Sequence, residues 1–348
     1  MAYTTIDDPS AHFQTDLYTG TGSELVITND GNSDLQPDWI WIKNRTDNST
    51  NHHAHDTSRG TTATLFLNKT DLEETQSQSV KSVQSDGFTL GTWDGNNISS
   101  KNFVAWQWKA GGGTTASNSN GSITSTVQAN TTAGFSIVTY TGTGSVATVG
   151  HGLGVKPDMM ILKNRDSAVN WIVYHKDTND SANYFLRLNT TDTTQYSGGR
   201  FNGTQPTSSV FTVGTSSQTN NNGDDIVAYC FAEKQGYSKI GKYAGNENAN
   251  GPFVYLGFKP AFIMIKNATV ISNWRMFDNK RIGYNVANYK LLPNSASQET
   301  TDVQIDMLSN GFKIRTSDSE INSGVTHIYM AFAENPLVSS KGIPTTAR

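Results

Sequence analysis

The sequence predicts an all-β protein of three tandem β-sandwich domains that arise from an internal triplication. Three observations carry that expectation. First, one stretch occurs three times: Pro37-Asp38-Trp39-Ile40-Trp41-Ile42-Lys43-Asn44, Pro157-Asp158-Met159-Met160-Ile161-Leu162-Lys163-Asn164 and Pro260-Ala261-Phe262-Ile263-Met264-Ile265-Lys266-Asn267. A short apolar run bounded by Pro and Asn is a buried-strand signal, too short for a packed helix. Second, other landmarks keep their distance from that run, and third, helical periodicity is almost absent between them.

Taken in order, each copy opens on a Tyr-x-Gly turn: Tyr18 to Gly20, Tyr140 to Gly142 and Tyr243 to Gly245. The central strand follows, with proline at its first position, where a ladder N–H can be spared. Both faces of that strand are apolar, as in a strand packed on two sides. Then come Leu65-Phe66-Leu67-Asn68, Leu186-Arg187-Leu188-Asn189 and Leu291-Leu292-Pro293-Asn294, and after them Phe88, Phe211 and Phe312 in short strands. Each copy closes on an apolar strand: Phe103-Val104-Ala105-Trp106, Ile226-Val227-Ala228-Tyr229 and Tyr329-Met330-Ala331-Phe332. Short strands between Gly/Asn/Asp turns read as sandwiches, with jelly-roll-like connectivity favoured and an immunoglobulin-like order as the alternative.

The domains are expected at 1–113, 114–234 and 235–348. Gly111-Gly112-Gly113-Thr114-Thr115-Ala116-Ser117-Asn118-Ser119-Asn120-Gly121 is glycine-rich and free of large apolar residues and reads as a linker, so domains one and two are expected to swing. The joint Glu233-Lys234-Gln235-Gly236 is short, so two and three are expected to pack rigidly. Each domain is long enough for a core of its own.

Charged residues make up 16% of the chain and the net charge is −4. With no basic run, nucleic acid is not an expected partner. No stretch approaches the length of an apolar membrane span, and the opening residues lack the pattern of a signal peptide, so membrane insertion and export are not expected. The single cysteine, Cys230, lies in an apolar strand and reads as a buried structural thiol. No cofactor is expected.

Few residues point to chemistry. His52, His53 and His55 form the one dense imidazole cluster. On a strand, His53 and His55 would share a face, and with Asp56 they are the candidate metal ligands. The competing reading is a solvated loop over residues 45–60, and it is preferred. Asp94-Gly95-Asn96-Asn97 and Asn221-Asn222-Gly223-Asp224-Asp225 read as hairpin turns rather than calcium loops. Trp106 and Trp108 alternate in a strand and point to a core or interface, whereas Trp93 is the better candidate for an exposed sugar-stacking ring. Asp-x-x-Arg recurs at Asp56/Arg59 and Asp278/Arg281, which suggests a structural salt link. The loops that differ between copies supply the candidate receptor contacts: Trp93, Asp94, Asn96, Tyr196 and Tyr284.

The opening Met1-Ala2-Tyr3-Thr4-Thr5-Ile6, the run Trp41-Ile42-Lys43-Asn44-Arg45, the run Phe103 to Gly113, and Ala228 to Ser238 carry a resemblance, as do Leu308 to Lys313 and Tyr329 to Glu334. The chain resembles a family of repeat proteins encoded by marine tailed bacteriophages of the cyanophage and pelagiphage type. The resemblance implies a virion structural protein with no catalytic signature. The expectation is therefore a non-enzymatic tail-fibre or spike component that contacts the host surface. A capsid decoration protein is the alternative, and a polysaccharide-degrading enzyme comes third because no repeat supplies an evident carboxylate pair. Expected partners are other virion proteins, a host surface glycan or protein, and further copies of the chain, with a trimer as the candidate assembly.

Overall fold

The structure is a computed structural model that describes residues 2–178, 182–281, 285, 287–302 and 305–346. The first sandwich contains β1 (Phe13–Thr19), β2 (Leu25–Ile27), β3 (Trp39–Asn44), β4 (His53–Asp56), β5 (Gly60–Phe66), β6 (Glu74–Thr75), β7 (Val80–Gln84), β8 (Gly87–Leu90), the helical turn α1 (Asp94–Asn97) and β9 (Asn102–Trp108). Its larger sheet runs β1-β9-β3-β4-β5-β6 and its smaller one β2-β8-β7.

The second contains β10 (Ala116–Asn118), β11 (Ser125–Asn130), β12 (Phe135–Thr141), β13 (Ala147–Gly150), β14 (Met159–Asn164), β15 (Ile172–His175), β16 (Tyr184–Arg187), β17 (Gln195–Tyr196), β18 (Val210–Val213), α2 (Ser217–Asn220) and β19 (Asp225–Phe231). The third contains β20 (Ser238–Ala244), β21 (Phe253–Tyr255), β22 (Phe258–Asn267), β23 (Arg275–Asp278), β24 (Ile305–Leu308), β25 (Gly311–Ile314), α3 (Ser319–Asn322) and β26 (Thr326–Pro336). In all three, the first conserved-pattern strand pairs with the last, and the next with the last but one: β1–β9 and β2–β8, β12–β19 and β13–β18, β20–β26 and β21–β25. That nested antiparallel pairing is the jelly-roll element, while β3-β4-β5 and its counterparts form a plain meander.

The central strands β3, β14 and β22 are buried on both faces because each separates two cores. Ile40 and Ile42 face the interior of the first sandwich, with Phe88, Leu90 and Phe103. Met160 and Leu162 do so in the second, and Ile263 and Ile265 in the third. The alternate residues Trp39 and Trp41, Met159 and Ile161, and Phe262 and Met264 all enter one common core. Alternation of side chains along a strand sends each set to its own side.

Each sandwich thus has a core of its own, as expected, and the common core is a fourth that the sequence reading did not foresee. At its centre, Trp108, Phe231 and Phe332 occupy the same position of the last strand, opposite Trp39, Met159 and Phe262. Their rings form a triangle with centroid separations of 6.5, 5.7 and 6.0 Å. This register also corrects the third copy by two residues: Tyr329, not Ala331, stands where Ala105 and Ala228 stand, opposite Ile265 as they are opposite Ile42 and Leu162.

The first joint is equally fixed. The Asp38 carboxylate accepts the N–H groups of Ala110 (2.7 Å), Gly112 (2.8 Å) and Gly113 (2.8 Å). A glycine-rich run whose amides are clamped in this way is a cap rather than a swinging linker, so the expected freedom between the first two sandwiches is absent.

Candidate functional site

The residues with the most demanding chemistry lie where one sandwich meets the next. Lys43, Lys163 and Lys266 are fully buried at the ends of β3, β14 and β22. Each Nζ donates to the carbonyl of the following asparagine, at 2.7 Å in all three. Each also reaches across a junction: Lys163 to Thr70 O at 3.2 Å, Lys266 to Thr191 O at 3.5 Å, and Lys43 to Ala296 O at 3.0 Å. Second grips first, third grips second, and first grips third, so the ring closes. Burial pushes all three ammonium groups down to about 8. Carbonyl oxygens, and for Lys266 also the Ser272 hydroxyl at 3.0 Å, satisfy the donors but bring no full counter-charge.

Around each lysine the same backbone bond recurs: Glu73 N to Arg165 O at 2.9 Å, Thr194 N to Ala268 O at 2.9 Å and Glu299 N to Arg45 O at 3.0 Å. Two junctions add a buried ionic relay. Arg59 bridges Asp56 (2.5 Å) and Glu73 (2.5 Å), and Glu73 takes Arg165 of the second sandwich at 2.7 Å. Likewise Arg281 bridges Asp278 (2.7 Å) and Glu299 (3.1 Å), and Glu299 takes Arg45 of the first at 2.9 Å. The Asp-x-x-Arg pairs are thus structural, as their repeated position suggested. Core rings complete the relays: Tyr229 Oη donates to Asp56 at 2.7 Å and Trp106 Nε1 to Asp278 at 3.0 Å.

The third junction, between second and third sandwiches, lacks the relay. His175, Thr194 and Ala268 replace its Asp, Glu and Arg. His175 Nε2 instead donates to Tyr329 O at 3.3 Å, and burial holds its imidazole down to about 4. The lost side-chain volume leaves a cleft of about 340 Å³ lined by Thr194, Ala268, Thr269 and Thr326, with Lys242 and Asp177 at its mouth.

The histidine stretch is strand β4, not a solvated loop. His52, His53, His55 and Asp56 are all buried. His52 takes the place of Trp171 and Trp274. All three backbone N–H groups donate to an asparagine side chain, at 2.9, 3.0 and 2.9 Å. Trp171 Nε1 and Trp274 Nε1 each donate to a carbonyl of the preceding sandwich, Phe66 O and Arg187 O, both at 2.9 Å. His52 receives Trp41 Nε1 on Nδ1 at 2.9 Å, and its other nitrogen faces the Leu292 carbonyl without closing a bond of good geometry.

His53 and His55 do share a face, and Asn96 sits between them. His53 Nδ1 donates to Asn96 Oδ1 at 2.6 Å, and Asn96 Nδ2 donates to His55 Nε2 at 3.1 Å. His55 Nδ1 in turn donates to Thr61 O at 2.9 Å. Burial pushes both imidazoles down to about 3, so they are neutral near pH 7. Asp56 is turned to Arg59. Among the described residues, no group of three or more His, Cys, Asp or Glu side chains is placed to hold a metal ion.

Asp94–Asn97 is a helical turn rather than a hairpin, for a physical reason that recurs. The Asn97, Asn220 and Asn322 side chains are buried and accept N–H groups of Thr21, Thr143 and Asn246 at 2.8, 2.8 and 2.9 Å. Tyr18, Tyr140 and Tyr243 donate Oη to the carbonyl one residue earlier, at 2.8, 2.6 and 2.6 Å. Asn96 is therefore interior, while Asp94 remains exposed. Trp93 is half-buried, tilted on the His53 ring at 4.7 Å. Tyr196 is 68% exposed and packs edge-on with Tyr184. Tyr284 lies outside the described residues. Ile271 is 73% exposed, a surface residue that no sequence signal singled out. Cys230 is buried, as expected, and its thiol is pushed up to about 12.

A second cleft, about 270 Å³, lies between the first and third sandwiches and is lined by Phe13, Thr15, Asp30, Ala261, Asn279 and Lys280 among others. It is followed by an open groove of about 450 Å³ between β1 and β2. Lys280 bonds Asp30 at 2.6 Å between the two. Asp16, in the groove, accepts Gln107 Nε2 at 2.5 Å, and burial next to Asp30 pushes its carboxyl up to about 7.

No helix among the described residues is long and apolar enough to cross a membrane. No curated protein and no solved structure matches the chain. A family model does, over residues 8–336, nearly the full length: the chain belongs to the family described as a domain of unknown function, DUF7483.

Proposed function

We propose that the chain is a non-enzymatic structural protein of a tailed-phage virion, an exposed tail-fibre or spike component that touches the host surface. The observation that carries this reading is the closed ring of junctions around a common aromatic core. Such a body holds its outward loops at fixed spacing, and several weak contacts at fixed spacing add up through avidity. The resemblance to repeat proteins of marine tailed phages supports the same reading. Contact would fall on the neutral cleft between second and third sandwiches. Tyr196 lies two residues along the chain from Thr194, and Ile271 three from Ala268; they are exposed apolar side chains close in sequence to its lining. A flat ring beside threonine hydroxyls suits a surface sugar or a peptide side chain. Assembly with other virion proteins and further copies of the chain belongs to this reading.

The test is gold-tagged antibody on intact virions, followed by adsorption of phage carrying Tyr196→Ala and Ile271→Ser. Label on the tail with slowed adsorption is expected. Label on the head would favour the capsid-decoration alternative, and label on neither would reject a virion role.

A further inference from the structure

The second sandwich carries strands that the other two lack. β11 pairs antiparallel with β12, and β10 pairs with β11, so the outer edge of β12 is covered. Just before β11, Ile123 bridges Val149 of β13, so the same segment closes the gap between the two sheets. Val127 of β11 is buried there, opposite Val138. In the first sandwich the equivalent strands, β1 and β2, are both sheet edges. The groove of about 450 Å³ lies between them and is lined by residues 16–19 and 25–28.

The register makes the comparison residue by residue. Asp16 stands opposite Ala105 as Val138 stands opposite Ala228, and Ile27 opposite Phe88 as Val149 opposite Phe211. The N–H of Gly20 donates to Lys101 O, and His12 O accepts from Lys109 N. Even-numbered residues of β1 therefore bond inward to β9, and odd-numbered ones turn their backbone groups away from it; Thr15 is buried, so the open edge is that of Leu17 and Thr19. Leu17 is 39% exposed and Val26 is 61% exposed, an apolar rim with unpaired edges beneath it.

We propose that this groove binds an extended segment of a partner protein, which adds to β1 as an antiparallel strand and places a lysine or arginine beside Asp16. Strand addition takes its affinity from main-chain bonds and its selectivity from the side chains that enter the groove. β11 is the internal template for the geometry, and Asp16 sets the difference. Where β11 sets Val127 against Val138, an added strand meets a carboxylate. Lys280 is paired with Asp30, and Asp16 takes part in none of the ion pairs among the described residues. A cation at that register supplies the missing charge. This inference does not rest on the virion assignment.

The test uses the full chain and a synthetic peptide of residues 123–130 with Val127→Lys, followed by fluorescence anisotropy. Saturable binding is expected, weakened about tenfold or more by Asp16→Asn, the loss of one charge-assisted contact. The unaltered Val127 peptide is expected to bind more weakly than its lysine version. Leu17→Pro removes one outward N–H and is expected to weaken binding, with the variant's fold checked by circular dichroism. A peptide N-methylated at alternate amides, which leaves the protein untouched, is expected not to bind. A scrambled peptide that binds equally well, unchanged affinity in Asp16→Asn, or no saturation at about 1 mM, the weak limit of specific recognition, would overturn the proposal.

Discussion

The Trp39 ring of the first sandwich stacks on the Tyr229 ring of the second, with centroids 4.4 Å apart and planes 19° from parallel. Neither ring has a complete environment without the other sandwich. Tyr229 in turn gives its hydroxyl to Asp56, so packing and the ionic relay meet in one side chain. Trp39→Ala is expected to cost about 3–5 kcal/mol, the range for removing a buried aromatic from a core. Its effect is expected on all three sandwiches, read by hydrogen exchange at Ile42, Leu162 and Ile265. Protection lost in the first sandwich alone would contradict a common core.

The buried lysines give a second prediction. Lys163→Met keeps the length of the side chain and removes the donor shared by the carbonyls of Thr70, Asn164, Ser167 and Val169. Buried acceptors left unpaired are costly, so a loss of about 2–4 kcal/mol is expected in denaturant unfolding. An unchanged midpoint would show that water replaces the ammonium without penalty.

Much of this was legible in the sequence. The proline-to-asparagine run marks a buried strand because its length excludes a helix and both its faces are apolar. What sequence could not show is that the two faces serve different cores, since Trp39 and Ile40 are equally apolar in a pattern. The lysine at the end of each run carries no sequence signal of burial, and only the geometry shows three ammonium groups held by backbone carbonyls. The histidine stretch reads as solvated because imidazoles are polar. Its alignment was available: Asn51-His52 occupies the place of Asn170-Trp171 and Asn273-Trp274, and a residue in a tryptophan's place is an interior residue. The missing Glu and Arg at Thr194 and Ala268 were also visible, but their meaning required the other two junctions for comparison.

The relays give a third prediction. Asp56→Asn leaves the Arg59 guanidinium buried with Glu73 as its remaining acid. Breaking a buried ion pair by removing one partner is expected to cost about 3–5 kcal/mol. Replacing the relay as a unit, with Asp56→His, Glu73→Thr and Arg165→Ala to copy the third junction, is expected to cost less than the sum of the single changes. Additive losses would show that the charges act independently.

Acid gives a fourth. His53 and His55 are held down to about 3, and His175 and His327 to about 4, chiefly by burial. Below the ordinary imidazole value of about 6.5 the unfolded chain binds protons that the folded chain refuses, so stability falls as pH falls from about 6.5 towards 4. Each histidine contributes a slope of up to about 1.4 kcal/mol per pH unit. Asp16, held up to about 7, opposes this, because the folded state is the one that binds its proton between about pH 4 and 7. All seven histidines are held down, against Asp16 and Asp38 held up, which leaves net acid lability. Urea midpoints at pH 7, 5.5 and 4.5 are expected to drop in order, and more gently in a His53→Gln, His55→Gln variant. A flat profile would contradict burial of neutral imidazoles.

The central claim is that three sandwiches share one core closed by a ring of junctions, and calorimetry of the full chain tests it most directly. A single transition whose calorimetric and van't Hoff enthalpies agree is predicted, with its midpoint lowered as a whole by Trp39→Ala, Tyr229→Ala or Phe262→Ala. Three separable transitions, each shifted only by the substitution in its own sandwich, would contradict it.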